Sequence, residues 1–252
     1  ALAALSVSGA ATLASGRIAT AGDQSFAGAV MLSGDQQLHS SSGTIHFAST
    51  LDAASRANLS ITADAGAIGI DGAVGAQGAL GALTVHAGTT LDFGGSVKAY
   101  RLTQTGAGGL AHYRGALFIE GLDGISLTGP SFAFDQAVTA TAGALQIVHS
   151  GGSASSTVFA RDASVSTATG FTQVGGGSVQ LPASVVVAQG PITLEAPATL
   201  YAGNARIETQ GDITMTGLSG PSTALTLASG HGPYPHRPGA GEHLGGPLDA
   251  RD

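Results

Sequence analysis

The sequence has no cysteine and no tryptophan, and aromatic residues make up only 5% of its 252 residues. The absence of cysteine excludes a disulfide framework and any metal site with thiolate ligands. Charged residues are also scarce, at 10%, and the 9 lysines and arginines are scattered singly. Because nucleic-acid-binding surfaces neutralise phosphates with clustered cations, no nucleic-acid partner is predicted.

Long apolar runs are missing as well. None approaches the roughly 18 residues that a membrane-spanning helix needs, so no membrane insertion is predicted. The apolar opening at residues 1–15 lacks the basic start of a signal peptide. Residues 4–9 resemble residues 82–88. We therefore expect the chain to open inside a repeat, as a mature protein or as a piece of a longer one.

Glycine is abundant instead, with 40 residues, and the hydrophobic fraction of 43% gives a positive mean hydropathy. A chain with this much apolar surface is not predicted to be disordered, so we interpret the glycines as turns between many short strands. Apolar residues fall at every second position in short bursts, which is the period of a strand with one buried face. No segment shows the spacing of an amphipathic helix.

Residues 58–99 carry one theme twice. Leu59 aligns with Leu83, 24 positions later, and Ile68 aligns with Leu91, 23 positions later. Repeats of this length built from short strands indicate a solenoid, in which stacked coils bury a core that no single coil can bury. The sequence therefore predicts an all-β fold, a parallel β-helix of roughly ten short coils over residues 1–229. Isoleucine, leucine, valine and phenylalanine should point inward, and small residues outward.

Residues 230–252 have a different character, with four of the nine prolines. Proline donates no ladder hydrogen bond, so we predict that the solenoid ends near Ser229 and that an extended Pro/Gly/His-rich tail follows. The tail is interpreted either as a linker or as an element that caps the rod or docks on a neighbouring subunit. Its candidate assembly residues are His231, Tyr234, His236, Arg237 and His243. The spacing of these histidines and Glu242 matches no compact ligand motif, so neither a metal nor another cofactor is predicted.

One segment concentrates tyrosine and arginine in a chain poor in both. Its residues Tyr100, Arg101, Tyr113 and Arg114 form the candidate interaction patch, because exposed aromatic residues and arginine are enriched at binding hot spots. The alternative is that both tyrosines fill corners of the rod with their hydroxyls in water.

Catalytic residues are not predicted, because the acidic residues are dispersed and are interpreted as exposed turn residues. They are Asp23, Asp35, Asp52, Asp64, Asp71, Asp92, Asp123 and Asp135. Asp71 and Asp92 occupy nearly equivalent repeat positions, which leaves open that they stack on adjacent coils. The Thr-x-Thr pairs at Thr139 and Thr214 are not in register, so a flat threonine array that binds ice is not predicted.

The blocks between residues 66 and 97 resemble the repeats of large bacterial exoproteins, the filamentous-haemagglutinin-like and autotransporter-like adhesins. The resemblance is close over residues 22–99 and weaker up to Ser229. It implies a right-handed parallel β-helix, export to the bacterial surface, and a role as an adhesin, stalk or filament component. It transfers no functional residues, because the matching positions are structural.

These observations predict a non-enzymatic, extracellular structural or adhesive β-solenoid. It would assemble end to end or through its tail, with copies of itself or with the rest of a longer chain as partners. The alternative is an adhesin passenger fragment that binds a host protein or a surface glycan. A polysaccharide-degrading β-helix enzyme is the distant alternative, because such enzymes need carboxylates that converge on one groove.

Overall fold

In a computed structural model, which describes residues 2–14, 16–106, 108–201 and 203–230, the backbone winds into a stack of about ten turns. Among the described residues, every strand pairing between neighbouring turns is parallel, as in the pairing of Leu59 with Leu83 and of Ile68 with Leu91. The only helical element among the described residues is a single 3-10 turn at Gly152–Ala154. The predicted parallel β-helix and the predicted register of its central repeats are confirmed.

Most turns place one strand on each of three faces. Strands are numbered along the chain. The first face holds β1 (Leu5–Val7), β4 (Gln24–Phe26), β7 (Ile45–Phe47), β10 (Ile68–Ile70), β12 (Leu91–Phe93), β14 (Leu110–Tyr113), β17 (Ser131–Phe134), β20 (Ser156–Phe159), β23 (Ser178–Leu181), β26 (Ala198–Leu200) and β29 (Leu218–Ser219).

The second face follows a tight corner. It holds β2 (Ala11–Leu13), β5 (Val30–Leu32), β8 (Leu51–Ala53), a single bridging residue at Val74, the start of β13 (Val97–Gly106), β15 (Leu117–Ile119), β18 (Val138–Ala140), β21 (Ser164–Thr167), β24 (Ser184–Val187), β27 (Gly203–Thr209) and β30 (Ser222–Ser229).

The third face completes the turn. It holds β3 (Gly16–Thr20), β6 (Gln36–Ser40), β9 (Leu59–Ala63), β11 (Leu80–Ala87), the end of β13, β16 (Ile125–Gly129), β19 (Leu145–His149), β22 (Phe171–Val174), β25 (Ile192–Leu194) and β28 (Ile213–Met215). The segment at residues 4–9, predicted to be equivalent to residues 82–88, carries β1 on the first face, whereas β11 lies on the third. That equivalence is wrong.

The core is built from columns of like side chains, because parallel pairing in register places equivalent residues directly above one another. On the first face, Phe26 stacks on Phe47 with ring centroids 4.7 Å apart. Further along the same column, Tyr113 lies 5.3 Å from the ring of Phe93 and 5.2 Å from that of Phe134. Stacked rings of this kind add to the stability that their burial already gives.

The corner between the first and second faces is tight because the backbones of successive coils approach closely there. A Cβ atom on Gly115 would lie 2.2 Å from the carbonyl carbon of Gly95, and one on Gly28 would lie 2.4 Å from that of Gly9. Gly9 occupies the same corner on the first coil, where a Cβ would meet no atom within 4 Å. Glycine is therefore needed at Gly28 and Gly115, where the preceding coil lies this close, whereas Ser49 and Gln136 occupy the equivalent position on other coils.

The last described turn is less covered than the interior. Leu227 pairs with the fully buried Ile207 and continues its column, yet 53% of Leu227 is exposed. The last described strand ends at Ser229. The proposed tail residues, from His231 to His243, lie outside the described residues.

Candidate binding surfaces

Tyr113 is not part of a surface patch, and this prediction is wrong. The side chain is completely buried in the aromatic column of the first face. Its hydroxyl donates a hydrogen bond of 2.8 Å to Oε1 of Gln104, which is also buried, so the alternative with the hydroxyl in water is wrong as well. Burial raises the pKa of the Tyr113 phenol far above its usual value, and the ring stays neutral.

Arg114 is exposed, but it binds a side chain of the preceding coil and so stabilises the stack. Its Nε lies 2.9 Å from one carboxylate oxygen of Asp92 and its Nη2 lies 2.8 Å from the other. This fork joins two neighbouring coils. The hydrogen bonds from Arg114 lower the pKa of Asp92 against the opposing effect of partial burial. Arg114 follows β14 on the first face, whereas Tyr100 and Arg101 lie within β13, so the four predicted residues do not form one patch.

Tyr100 and Arg101 are both exposed because β13 turns there from the second face to the third. Alternation places Ala99 and Leu102 in the core, and the two residues between them both point outward. A strand on a single face would have buried one of the two. These two residues of the predicted patch therefore lie at a surface corner.

A cluster of aromatic and charged side chains surrounds Tyr100, which we call the corner cluster: Arg56, Lys98, Tyr100, Phe118 and Glu120. The Arg56 guanidinium lies 5.3 Å from the centre of the Tyr100 ring, and Lys98 Nζ lies 5.7 Å from that of Phe118. The Glu120 carboxylate contacts both cations at 3.4 Å. The rings are 41% and 40% exposed, so cation–π contacts and ion pairs hold them at the surface.

Most of this cluster could not be predicted from the sequence, because its members come from different coils separated by loops of different length. Only the contact between Lys98 and Phe118 could have been predicted from the repeat, since these two residues occupy the same outward position on paired strands.

A groove of about 530 Å³ lies on the third face beside the same corner. We call it the corner groove. Its polar lining consists of Arg17, Asp35, Gln36, Gln37, Asn58, Ser60, Thr84 and Arg101.

One wall of the corner groove is fixed by hydrogen bonds between coils. The backbone N–H and the side-chain amide of Asn58 donate to the two carboxylate oxygens of Asp35 at 2.8 and 3.0 Å. The backbone hydrogen bond is the main reason why the pKa of Asp35 is lowered, so this carboxyl is ionised at neutral pH. Asn58 Oδ1 accepts a hydrogen bond of 2.7 Å from the N–H of Ala82. The wall is thereby tied across three coils.

The eight aspartates that the sequence indicated as turn residues all bind a group on an adjoining coil. Asp23 and Asp52 accept hydrogen bonds from backbone N–H groups, and Asp35 accepts them from Asn58. Three aspartates contact histidines, in the pairs Asp64–His39, Asp71–His46 and Asp135–His112. Two contact arginines, in the pairs Asp92–Arg114 and Asp123–Arg101. These carboxylates therefore join coils and do not converge on one groove.

Two details of the acidic residues differ from expectation. Asp52 is buried, at 3% exposure, and accepts N–H groups from Gln77 and Gly78 at 2.8 and 3.4 Å. Asp92 lies opposite Gly69 in the paired strands rather than opposite Asp71, so these two carboxylates do not stack.

Several single threonines on the third face are in register. Thr84 pairs with Thr103, and further along Thr172, Thr193 and Thr214 occupy the same outward position on successive coils. The Thr-x-Thr pairs at Thr139 and Thr214 lie on the second and third faces, so they are not in register with each other, as predicted. This row of aligned threonines is interrupted by Gln146, which pairs with Thr172, so the face does not carry one continuous threonine array.

The fold defines a parallel β-solenoid protein. No family model, curated protein or solved structure matches the chain. The described part of the chain contains no helix with the length and hydrophobicity of a membrane span.

Proposed function

We propose that the chain is a non-enzymatic structural and adhesive rod of a secreted or bacterial cell-surface protein. The observation that carries this proposal is the continuous parallel pairing from β1 to β30, with one hydrophobic core throughout. With coils about 4.8 Å apart, about ten turns give a rod roughly 50 Å long. The resemblance of residues 66–97 to adhesin repeats supports a location outside the cell.

The use of the charged residues supports a structural role. Arg114 and Asp92 join one pair of coils, and Asp52 binds two N–H groups of the next coil from a buried position. Hydrogen bonds to charged groups are stronger than neutral ones, and a buried carboxylate is costly unless its partners are present. The scarce charges thus act mainly to hold successive coils in register.

Assembly would occur at the ends of the stack. The exposed Leu225 and Leu227 continue columns whose preceding members, Ala205 and Ile207, are buried. A further coil, from the same chain or from a second copy, would cover them and pair with the edge of β30, beside which no further described strand lies. This supports end-to-end assembly as the structural half of the proposal.

Negative-stain microscopy and sedimentation of the purified chain, with and without residues 230–252, test the assembly. Fibres or concentration-dependent rods from the full chain support the filament role, and their loss on truncation assigns assembly to the tail. If both forms stay as single rods at all concentrations, self-assembly is excluded. Globular particles in place of rods would contradict the structural proposal itself.

The second candidate is an adhesin that binds a surface glycan or a host protein, and it is favoured by the corner cluster and the corner groove. Arg56 and Lys98 hold two half-exposed rings at the surface, and the groove beside them is polar and open. Exposed aromatic residues with arginine are typical of binding hot spots. The rod would then serve to present this corner.

A further inference from the structure

The corner groove runs along the rod axis, and one outward position in it carries a polar side chain on each of four successive coils. Arg17, Gln37, Ser60 and Thr84 occupy the same outward position on four successive coils. Arg101, on the fifth coil, pairs with Ala82 and closes the far end. Since coils are about 4.8 Å apart, the two arginines are separated by four coils, or about 19 Å along the axis.

The groups between the two arginines are free to bind a ligand. The side chains of Gln37, Ser60 and Thr84 make no hydrogen bond to any described residue, although hydroxyl and amide groups carry both donors and acceptors. Arg17 and Arg101 each make one long contact, at 3.3 Å to His39 Nδ1 and at 3.4 Å to Asp123 Oδ2. Each guanidinium has five N–H donors, so most of them remain available.

We propose that the corner groove binds an extended acidic oligosaccharide, with one sugar per coil and carboxylates on alternate sugars, two of which face Arg17 and Arg101. This inference rests on the adhesive part of the proposed function and names its ligand class. The coil spacing is close to the advance per sugar of an extended chain of β-linked pyranoses. A guanidinium binds a carboxylate through two parallel hydrogen bonds, which makes arginine the suitable residue at both ends.

The groups on the intervening coils fit alternating charge. Asp35 lies on the second coil, where an uncharged sugar would donate its hydroxyls to the carboxylate. On the third coil, the middle carboxylate would meet the hydroxyl of Ser60, two residues along the strand from Asn58, whose amide already donates to Asp35. A densely sulfated chain fits worse, because it would place a sulfate against the ionised Asp35.

Other extended polymers fit the spacing less well. A peptide strand advances about 3.3 Å per residue, so its side chains on one face repeat every 6.6 Å or so and drift out of phase with the coils. A single-stranded nucleic acid needs a row of cations and exposed aromatic rings for its bases, whereas this groove has two arginines and no aromatic lining residue.

Titration calorimetry of the full chain tests the inference, with unsulfated hyaluronan hexasaccharide as the probe and its carboxyl-reduced form as the neutral comparison. We expect binding of the acidic form, and affinity about tenfold weaker for each of Arg17→Gln and Arg101→Gln. Ser60→Leu should abolish binding by filling the groove. Thr193→Leu should bind like the wild type, because Thr193 occupies the same outward position several coils away.

No binding up to about 1 mM would overturn the inference. So would equal binding of the carboxyl-reduced sugar, or equal loss in Ser60→Leu and Thr193→Leu. Circular dichroism of each variant checks that the solenoid is intact, which both outward substitutions should preserve. If rods are seen by microscopy and no sugar binds, the structural proposal stands and the ligand inference fails. If the sugar binds but no rods are seen, the ligand inference stands and the structural proposal fails.

Discussion

Removing the hydroxyl of Tyr113 should destabilise the rod although the ring is kept. Tyr113→Phe preserves the stack with Phe93 and Phe134, whose centroids lie 5.3 and 5.2 Å away. It deletes the donor that lies 2.8 Å from Oε1 of Gln104, a side chain that is 1% exposed. The amide oxygen is then buried without its partner. We expect a loss of about 1–3 kcal/mol in the free energy of unfolding.

The partner substitution separates the hydrogen bond from simple loss of size. Gln104 lies between Val85 and Leu127 in a core column, so leucine suits the position. Gln104→Leu alone leaves the Tyr113 hydroxyl buried and unpaired and should also destabilise. The double variant removes both partners, so its loss should be smaller than the sum of the two single losses by about 1 kcal/mol or more.

Urea unfolding followed by far-UV circular dichroism measures these differences, and unchanged m-values would show that the variants unfold in the same cooperative unit. The matched control is Tyr201→Phe. The hydroxyl of Tyr201, at a half-buried position, donates a hydrogen bond of 3.0 Å to the carbonyl oxygen of Phe159. Water can replace that donor, so we expect a loss near 0.5 kcal/mol. Strict additivity of the two core substitutions, or a Tyr113→Phe loss no larger than that of the control, would refute the reasoning.

Three further predictions concern the contacts between coils. Gly115→Ala should lower the urea midpoint by the equivalent of about 1–3 kcal/mol, because its Cβ would lie 2.2 Å from the preceding coil. Gly9→Ala, with nothing within 4 Å, should be close to neutral in the same assay. Asp52→Ala should cost about 2–3 kcal/mol by leaving two N–H groups without a buried acceptor, and a neutral result would contradict the assigned pairing. Arg114→Leu should flatten the fall in stability below about pH 4. The lowered pKa of Asp92 stabilises the fold above the unfolded-state value, and that contribution is lost as pH falls through the folded one.

The parallel β-helix could be predicted from the sequence, because the alternation of apolar and polar residues indicates strands and the repeat of 23 to 24 residues indicates stacked coils. Leu59 and Leu83 recur in phase, and parallel stacking turns this repeat directly into strand pairs. The face to which a burst belongs could not be predicted in the same way. The Leu5 burst and the Leu83 burst have the same apolar spacing, yet they lie on different faces, because every face of a β-helix buries alternate residues.

The burial of Tyr113 was within reach of the sequence. An aromatic residue, a glycine two positions later and an aliphatic residue four positions later recur at Phe26, Phe93 and Tyr113. This spacing would have placed Tyr113 in the same column as the phenylalanines. The corner cluster was out of reach, because Arg56, Lys98 and Glu120 meet through loops whose path the sequence does not reveal.

The two corners of the rod differ in a way that explains where its chemistry lies. From the first face to the second, the step is four residues on most coils, as from Phe47 to Leu51 and from Phe93 to Val97, and close backbone contact there leaves little room for side chains. It lengthens only toward the C-terminal end, to six residues from Phe159 to Val165 and seven from Leu200 to Ile207.

From the second face to the third, the step varies, with eight residues from Leu51 to Leu59 and five from Val97 to Leu102. The variable corner can therefore carry loops and long side chains without disturbing the stack. The corner cluster and the corner groove both lie there. In a solenoid of this kind, hydrogen bonds between parallel strands fix the spacing between coils, and that spacing in turn sets the distance between the groups at the open corner, where we propose that a ligand binds.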